Sequence, residues 1–203
     1  MNTPVDNKTI EYYNTYASEF NTNTVNVPFS SVQTNFVNYL PDRAYILDFG
    51  CGSGRDSKVF LSKGYRVDAI DGSIEMCKLA EKLIGQPVKC ISFQKFHAEN
   101  KYDGIWACAS ILHLDLGELK IVFKNLSSAL KEEGYLYASF KYGNFAGIRN
   151  GRYFTDMTED SFTDFLNDTG LFDIIDMKVG SDSRPGREEE LWLNIIMKKV
   201  IIA

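Results

Sequence analysis

The stretch from Tyr45 to Ser73, YILDFGCGSGRDSKVFLSKGYRVDAIDGS, most restricts what this chain can fold into. A short apolar run, Tyr45-Ile46-Leu47, reaches an acid at Asp48. Gly50, Gly52 and Gly54 follow at alternate positions. Then come a helical stretch that Gly64 stops and a second apolar run, Val67 to Ile70, ending at another acid, Asp71. The order is strand, turn, helix, strand. A glycine turn admits backbone angles that other residues resist and lets a ligand approach the main chain. A helix opening at such a turn offers free N–H groups to negative charge. A carboxylate at the end of the neighbouring strand can accept two ribose hydroxyls. The unit therefore suits a ligand with a ribose and an anionic end.

Glycine spacing separates two ligand classes. In the dinucleotide fingerprint G-x-G-x-x-G, counting from Gly50 puts the third glycine at Arg55, and counting from Gly52 puts it at Ser57. Asp48, two residues ahead of the first glycine, suits a cationic amine and would repel a pyrophosphate. A ligand with an ammonium group, a carboxylate and a ribose is S-adenosylmethionine. The bland alternative, a tight turn with no ligand, needs neither acid.

The run LDFGCGSGRD and the strand that ends at Asp71 resemble motifs I and II of the class I S-adenosylmethionine-dependent methyltransferases. Tyr102 to Leu114, YDGIWACASILHL, is similar to the family's fourth strand and the loop after it, and Gly134 to Lys141 to its fifth strand. The resemblance runs from near Glu11 to Lys198 and is strongest to small bacterial members of the tellurite-resistance and methyltransferase-11-like type. It implies S-adenosylmethionine as cofactor and S-adenosylhomocysteine as product. It implies cofactor contacts from Tyr16, Asp48, Gly50, Cys51, Gly52, Gly54, Arg55, Asp71, Gly72, Ser73, Met76, Ser92, Phe93, Ala107 and Cys108. Relatives carry an acid after strand three that bonds the adenine amino group; Ser92 stands there instead, so backbone groups around Phe93 are expected to share that task. No Asn-Pro-Pro-Tyr-like run follows strand four, which disfavours amide or exocyclic-amine methylation by that route. The resemblance also implies a small or oxyanionic acceptor. A weaker similarity, through Gly151 to Phe154, runs to transfer-RNA wobble-uridine methyltransferases.

Before this unit, Ile10, Tyr13, Ala17 and Phe20 recur at helical spacing, so Lys8 to Glu19 reads as a helix with Tyr13 in the core. Tyr12 and Tyr16, four apart, share the face expected to turn to the site. Asn21 to Pro28 is a polar loop and a candidate lid, and Ser30 to Leu40 a helix ended by Pro41. After it, Ser73 reads as the N-cap of a helix to Ile84 with Ile74, Cys77, Ala80 and Ile84 inward. Strands are expected at Val88–Ile91, Tyr102–Cys108 and Tyr135–Phe140, with an amphipathic helix from Leu116 to Leu130. Lys141 to Thr155 reads as a loop and Thr158 to Thr169 as a helix. Phe172–Lys178 and Glu190–Lys198 form a terminal antiparallel hairpin. The expected fold is α/β: an open, doubly wound, seven-stranded, mostly parallel sheet with helices on both faces. It is one domain, residues 1–203, in which residues 1–40 supply N-terminal helices and a lid over the cofactor. Ligands in such sheets sit beyond the carboxyl ends of the strands, beside strand one.

Methyl transfer from a sulfonium is an in-line displacement, so the protein's main task is alignment. A base is needed only if the acceptor loses a proton. His113, after a strand end and titrating near neutrality, is the candidate; its alternative is a structural histidine. Acceptor contacts are expected from Tyr12, His113, Arg149, Arg152, Tyr153 and Arg184, with Arg187 completing four arginines around an anionic or planar small molecule. The alternative is solvated loop charge, with Arg187 paired to Glu188, Glu189 or Glu190. The net charge of −5, from 27 acids and 22 Lys and Arg, argues against broad binding to nucleic acid. No apolar run is long enough to cross a membrane, and the polar N-terminus lacks the order of a secretion signal, so a cytoplasmic monomer or homodimer is expected. Four cysteines without a C-x-x-C pair, and two histidines, point to reduced thiols and no metal site. Three other functions stay open: a transfer-RNA methyltransferase, a non-catalytic cofactor-binding partner subunit, and a nucleotide-dependent oxidoreductase.

Overall fold

Side chains alternate across a strand, and Tyr102–Ala107 and Leu130–Lys141 carry large apolar groups on both sides. That fixes a central sheet with a core on each face. The computed structural model describes residues 4–201; the first three residues of the polar N-terminal reading lie outside them. In chain order the elements are α1 (Pro4–Thr24), α2 (Ser30–Val37), β1 (Tyr45–Phe49), α3 (Arg55–Ser62), β2 (Arg66–Asp71), α4 (Ile74–Ile84) and β3 (Lys89–Cys90). Then follow β4 (Tyr102–Ala107), α5 (Leu116–Ala129), β5 (Leu130–Lys141), β6 (Ala146–Arg149), β7 (Arg152–Thr155), α6 (Glu159–Thr169), β8 (Phe172–Ser181) and β9 (Leu191–Lys199). Seven strands form one sheet in the order β3-β2-β1-β4-β5-β9-β8. β1 to β5 pair in parallel, and β9 runs antiparallel to β5 and to β8. This is the mostly parallel sheet with a terminal hairpin that the element order predicts.

Ile105 and Ala107 on β4, with Leu136, Ala138 and Phe140 on β5, pack against Leu119, Phe123 and Leu126 of α5 and Phe162, Phe165 and Leu166 of α6. On the other face Trp106 stacks on Tyr137, ring centroids 4.0 Å apart, among Phe36 of α2 and Phe60 of α3. Burial of each such ring is worth roughly 1.5–3 kcal/mol before cavity and strain effects. The helix ends follow their chemistry. Ser73 caps α4 by accepting the Met76 N–H at 3.2 Å. Asp115 and Glu118 form a reciprocal capping box at α5, and Gly170, in the left-handed region, ends α6.

Four expectations are corrected. α1 continues to Thr24, with a kink at Tyr16, so the linker to α2 is only 25–29. Strand three is two residues long. Ile74, read as inward, is 46% exposed, and Met76 takes its place inside. Lys141 to Thr155 is a hairpin rather than a loop: β6 and β7 pair with Arg149 opposite Arg152, around Asn150 and Gly151 at φ 52° and 78°. That two-residue turn with both φ positive has the hand that matches strand twist.

Candidate functional site

Parallel strands leave a crevice where the chain leaves the sheet in opposite directions on either side of β1. A cavity of about 890 Å³ opens there, lined from the carboxyl ends of β1, β2, β4 and β5, from α1, and from the β6–β7 hairpin. The glycine loop forms one wall. Gly52, at φ 55°, has nothing within 4 Å of where a Cβ would stand. Gly54, at φ 87°, would put a Cβ 3.1 Å from Ala80 and Ile84 of α4. The first glycine thus keeps the wall open, and the second lets α3 begin tight against α4.

Asp71 ties this wall together. One carboxylate oxygen accepts the Gly52 N–H at 2.9 Å and the other the Ser73 N–H at 2.8 Å. Each oxygen keeps a lone pair for a ligand hydroxyl. Burial nevertheless pushes its carboxyl up to about 6, against the pull of backbone N–H groups at Ser73, Gly52 and Gly72. Across the cleft the backbone is strained at the end of β4. Ala109 has φ 50° and is held there by an N–H bond to Ser139 Oγ at 2.8 Å, while Ser110 Oγ donates to the Phe49 carbonyl at 2.6 Å. Further along the wall, Ser92 Oγ is buried and has no partner among the described residues.

At the far end His113 is buried, with Nδ1 2.6 Å from the Tyr153 carbonyl and Nε2 2.9 Å from the Tyr13 hydroxyl. A carbonyl only accepts, so Nδ1 carries the proton and Nε2 accepts from Tyr13. Burial, opposed by the Tyr153 bond and aided by the charges of Arg152 and Arg149, pulls the imidazole down to about 3.

The family model described as "Methyltransferase domain" matches residues 47–136. YqeM of Bacillus subtilis (strain 168), whose own methyltransferase designation is provisional, is 29% identical over 132 residues, 60% of this chain and 52% of that protein. The chain thus spans about half the length of that curated relative. Among solved structures, the Burkholderia thailandensis 1,6-didemethyltoxoflavin-N1-methyltransferase, with 1,6-didemethyltoxoflavin and S-adenosylhomocysteine bound, superposes with a TM-score of 0.77 at 19% identity, covering 99% of this chain and 92% of that one. A TehB-like S-adenosylmethionine-dependent methyltransferase from Corynebacterium glutamicum gives 0.70 at 15% identity, over 94% and 99%. The chain has the fold of these methyltransferases, and residues 47–136 match the methyltransferase-domain model.

Within this methyltransferase fold the cavity gathers Gly50, Cys51, Gly52, Arg55, Asp71, Gly72, Ser73, Met76, Ser92, Phe93 and Cys108 of the residues expected at the cofactor. It also gathers His113, Arg149, Arg152 and Arg184 of those expected at the acceptor. Others are displaced from it. Asp48 is 2% exposed and lies beneath the glycine loop, where Ser57 Oγ donates to it at 2.6 Å. Burial and the neighbouring Asp56 push its carboxyl well above the usual range, so it braces the start of α3 instead of facing the cavity. Gly54 packs on α4, and Ala107 is fully buried one step below the lining at Cys108 to Ser110.

The N-terminal tyrosines are reversed. Tyr13, read as core, lines the cavity, whereas Tyr16 is 46% exposed and Tyr12 packs on Tyr16 with centroids 4.8 Å apart. Tyr153 contributes its carbonyl to His113, and its side chain does not line the cavity. His113 does not titrate near neutrality, because desolvation disfavours its cation. Asp56 was missed. It lines the cavity, holds Arg55 through two bonds of 2.8 and 2.9 Å, and accepts from Gln33 and Trp106 at 2.6 and 2.9 Å. No local pattern reveals that cluster, since its members are 23 and 50 residues away. The hairpin had a signal, the Asn150-Gly151 pair. Among the described residues no helix is long and apolar enough to cross a membrane.

Proposed function

We propose that the protein transfers the methyl group of S-adenosylmethionine to a small-molecule acceptor. The observation that carries this reading is Asp71. Its carboxylate stands at the end of β2, pinned by Gly52 and Ser73, with lone pairs left for two hydroxyls beside an open glycine wall. The residues fit the cofactor: Asp71 for ribose, the unpartnered Ser92 hydroxyl and the Phe93 ring for the base, and the loop backbone of 50–53 for the amino-acid end. When bound, that cofactor supplies a methyl group on a sulfonium that is its own leaving group.

The chain's task is then to hold the acceptor in line and keep water out. The roof is α1 and the linker 25–29, whose Tyr13, Phe20 and Val27 line the cavity. Asn14 fastens that roof to the cofactor side by accepting from Ser73 Oγ at 2.7 Å. We extend the proposal to α1 and this linker as a lid. His113 is not its general base: Nε2 is spent on Tyr13, and the ring stays neutral. An acceptor that is already ionised needs no base, in keeping with the small, acidic class expected from the sequence. Conversion of the methyl donor to S-adenosylhomocysteine in a screen of small organic acids, run beside transfer RNA, tests the reading. Turnover with small acids supports it, and turnover with transfer RNA alone overturns it.

A further inference from the structure

The acceptor end of the cavity is lined by Lys141, Arg149, Arg152, Arg184 and Arg187, yet most of that charge is already matched. Arg149 holds both oxygens of Asp156, at 3.0 and 2.9 Å. Arg184 bonds Asp182 through Nε at 2.9 Å, Lys141 pairs with Glu190 and Asp182, and Arg187 lies 3.3 Å from Glu190. Arg152 differs from the others. No described carboxylate pairs with it, its Nε is buried without an acceptor, and its guanidinium carbon sits 4.5 to 5.6 Å from the ring centroids of Tyr12, Phe154 and Tyr13. Aromatic faces attract the cation but leave its N–H groups unsatisfied.

The bond from its guanidinium to Tyr13 has a fixed place in a chain of bonds. The Tyr153 carbonyl takes the His113 Nδ1 proton, so Nε2 must accept from the Tyr13 hydroxyl, whose oxygen is then free to accept Arg152 Nη1 at 3.2 Å. The chain of bonds turns one edge of the guanidinium toward Tyr13 and leaves Nε without an acceptor in the cavity wall. We infer that Arg152 receives the single acidic group of the methyl acceptor, a carboxylate or phenolate on a flat molecule, and that Tyr13 and His113 are the positioning residues that aim it. The inference rests on the small-molecule reading above. Arg152 is the one cation of the five with no described carboxylate partner, which suits a monoanion, and Phe20, Phe29 and Phe154 along the same cavity suit a planar ring. Guanidinium forks bind a carboxylate through two parallel bonds, which makes the choice between an acid and its amide sharp.

Benzoate and its neutral isostere benzamide are the probes, titrated by NMR into the full chain with and without S-adenosylhomocysteine. Benzoate should bind at least about tenfold more tightly than benzamide and move the Arg152 Nε–H resonance. Arg152→Gln should abolish the preference. Arg152→Lys should restore part of it, and Tyr13→Phe should weaken it several-fold while the fold holds. Equal binding of the two probes by the wild type, or a preference that survives Arg152→Gln, overturns the inference; the wild-type comparison stands even if that variant does not fold. Failure of S-adenosylhomocysteine to bind would overturn the cofactor reading instead, and the cofactor-free titration would still decide the role of Arg152.

Discussion

Cofactor affinity should fall as pH drops through about 6, and Asp71 should be the reason. In the free protein the half-buried carboxyl titrates near 6 because burial disfavours its charge. Ribose hydroxyls donate to both oxygens of the ionised form, whereas the protonated carboxyl has lost its charge and part of its accepting capacity, so a bound cofactor lowers this pKa and protonation competes with binding. By linkage, the affinity for S-adenosylhomocysteine should be flat above about pH 7 and then fall by up to about tenfold per unit below 6, until the pKa of the complex is reached. Asp71→Asn keeps the shape and one acceptor but loses the charge and half the accepting capacity. Hydrogen bonds to charged groups are worth about 1.5–3 kcal/mol, so the variant should bind roughly 10- to 150-fold more weakly near neutral pH. It should also lose the dependence on pH, which separates Asp71 from Asp48, whose carboxyl is raised as well. Calorimetric titration of both proteins from about pH 7.5 to 5 reads the effect. A wild-type affinity that stays flat across that range in the folded protein, or a variant with unchanged affinity and profile, would refute the assignment of Asp71 to the ribose.

His113 is neutral in the fold and protonates freely only in the unfolded chain. It therefore removes about 1.4 kcal/mol of stability between pH 7.5 and 5.5. Below about 6 the raised Asp71 opposes this, so urea melts of wild type against His113→Gln are compared, and the variant should lose less on acidification. Ser92→Ala removes a buried hydroxyl with no partner. It should leave the free protein as stable or slightly more so, and weaken S-adenosylhomocysteine binding by about 0.5–1.5 kcal/mol if the hydroxyl meets adenine. Proteolytic cutting in the linker 25–29 should slow when S-adenosylhomocysteine is added; equal rates would leave α1 as a packing element and no lid.

Elements with a strong local period were legible. β1, β4, α5 and α6 appear where apolar runs and spacing place them, because the strands are buried on both faces and each helix buries one face against the sheet. The roles of faces were harder to read. Ile10, Tyr13, Ala17 and Phe20 make one stripe on α1, and a stripe that faces a cavity has the same sequence period as one that faces a core. That is why Tyr13 read as packing and Tyr12 and Tyr16 as site residues. Asp48 reads as a ligand group from the sequence because a motif gives order along the chain and not depth beneath a loop. Pairing of charges across the fold was beyond local inspection. Arg149 meets Asp156, seven residues on, because a hairpin folds between them. Once that hairpin is seen, four arginines around an anion reduce to Arg152.

The most direct test of the account follows the methyl group itself. Donor labelled in its methyl carbon is incubated with the protein and a mixed extract, which is then separated into small molecules, nucleic acid and protein. The account predicts label in an acidic, low-mass product, formed more slowly by Asp71→Asn and by Arg152→Gln. Label confined to the nucleic acid or protein fraction, or a low-mass product made as fast by both variants as by the wild type, would contradict it.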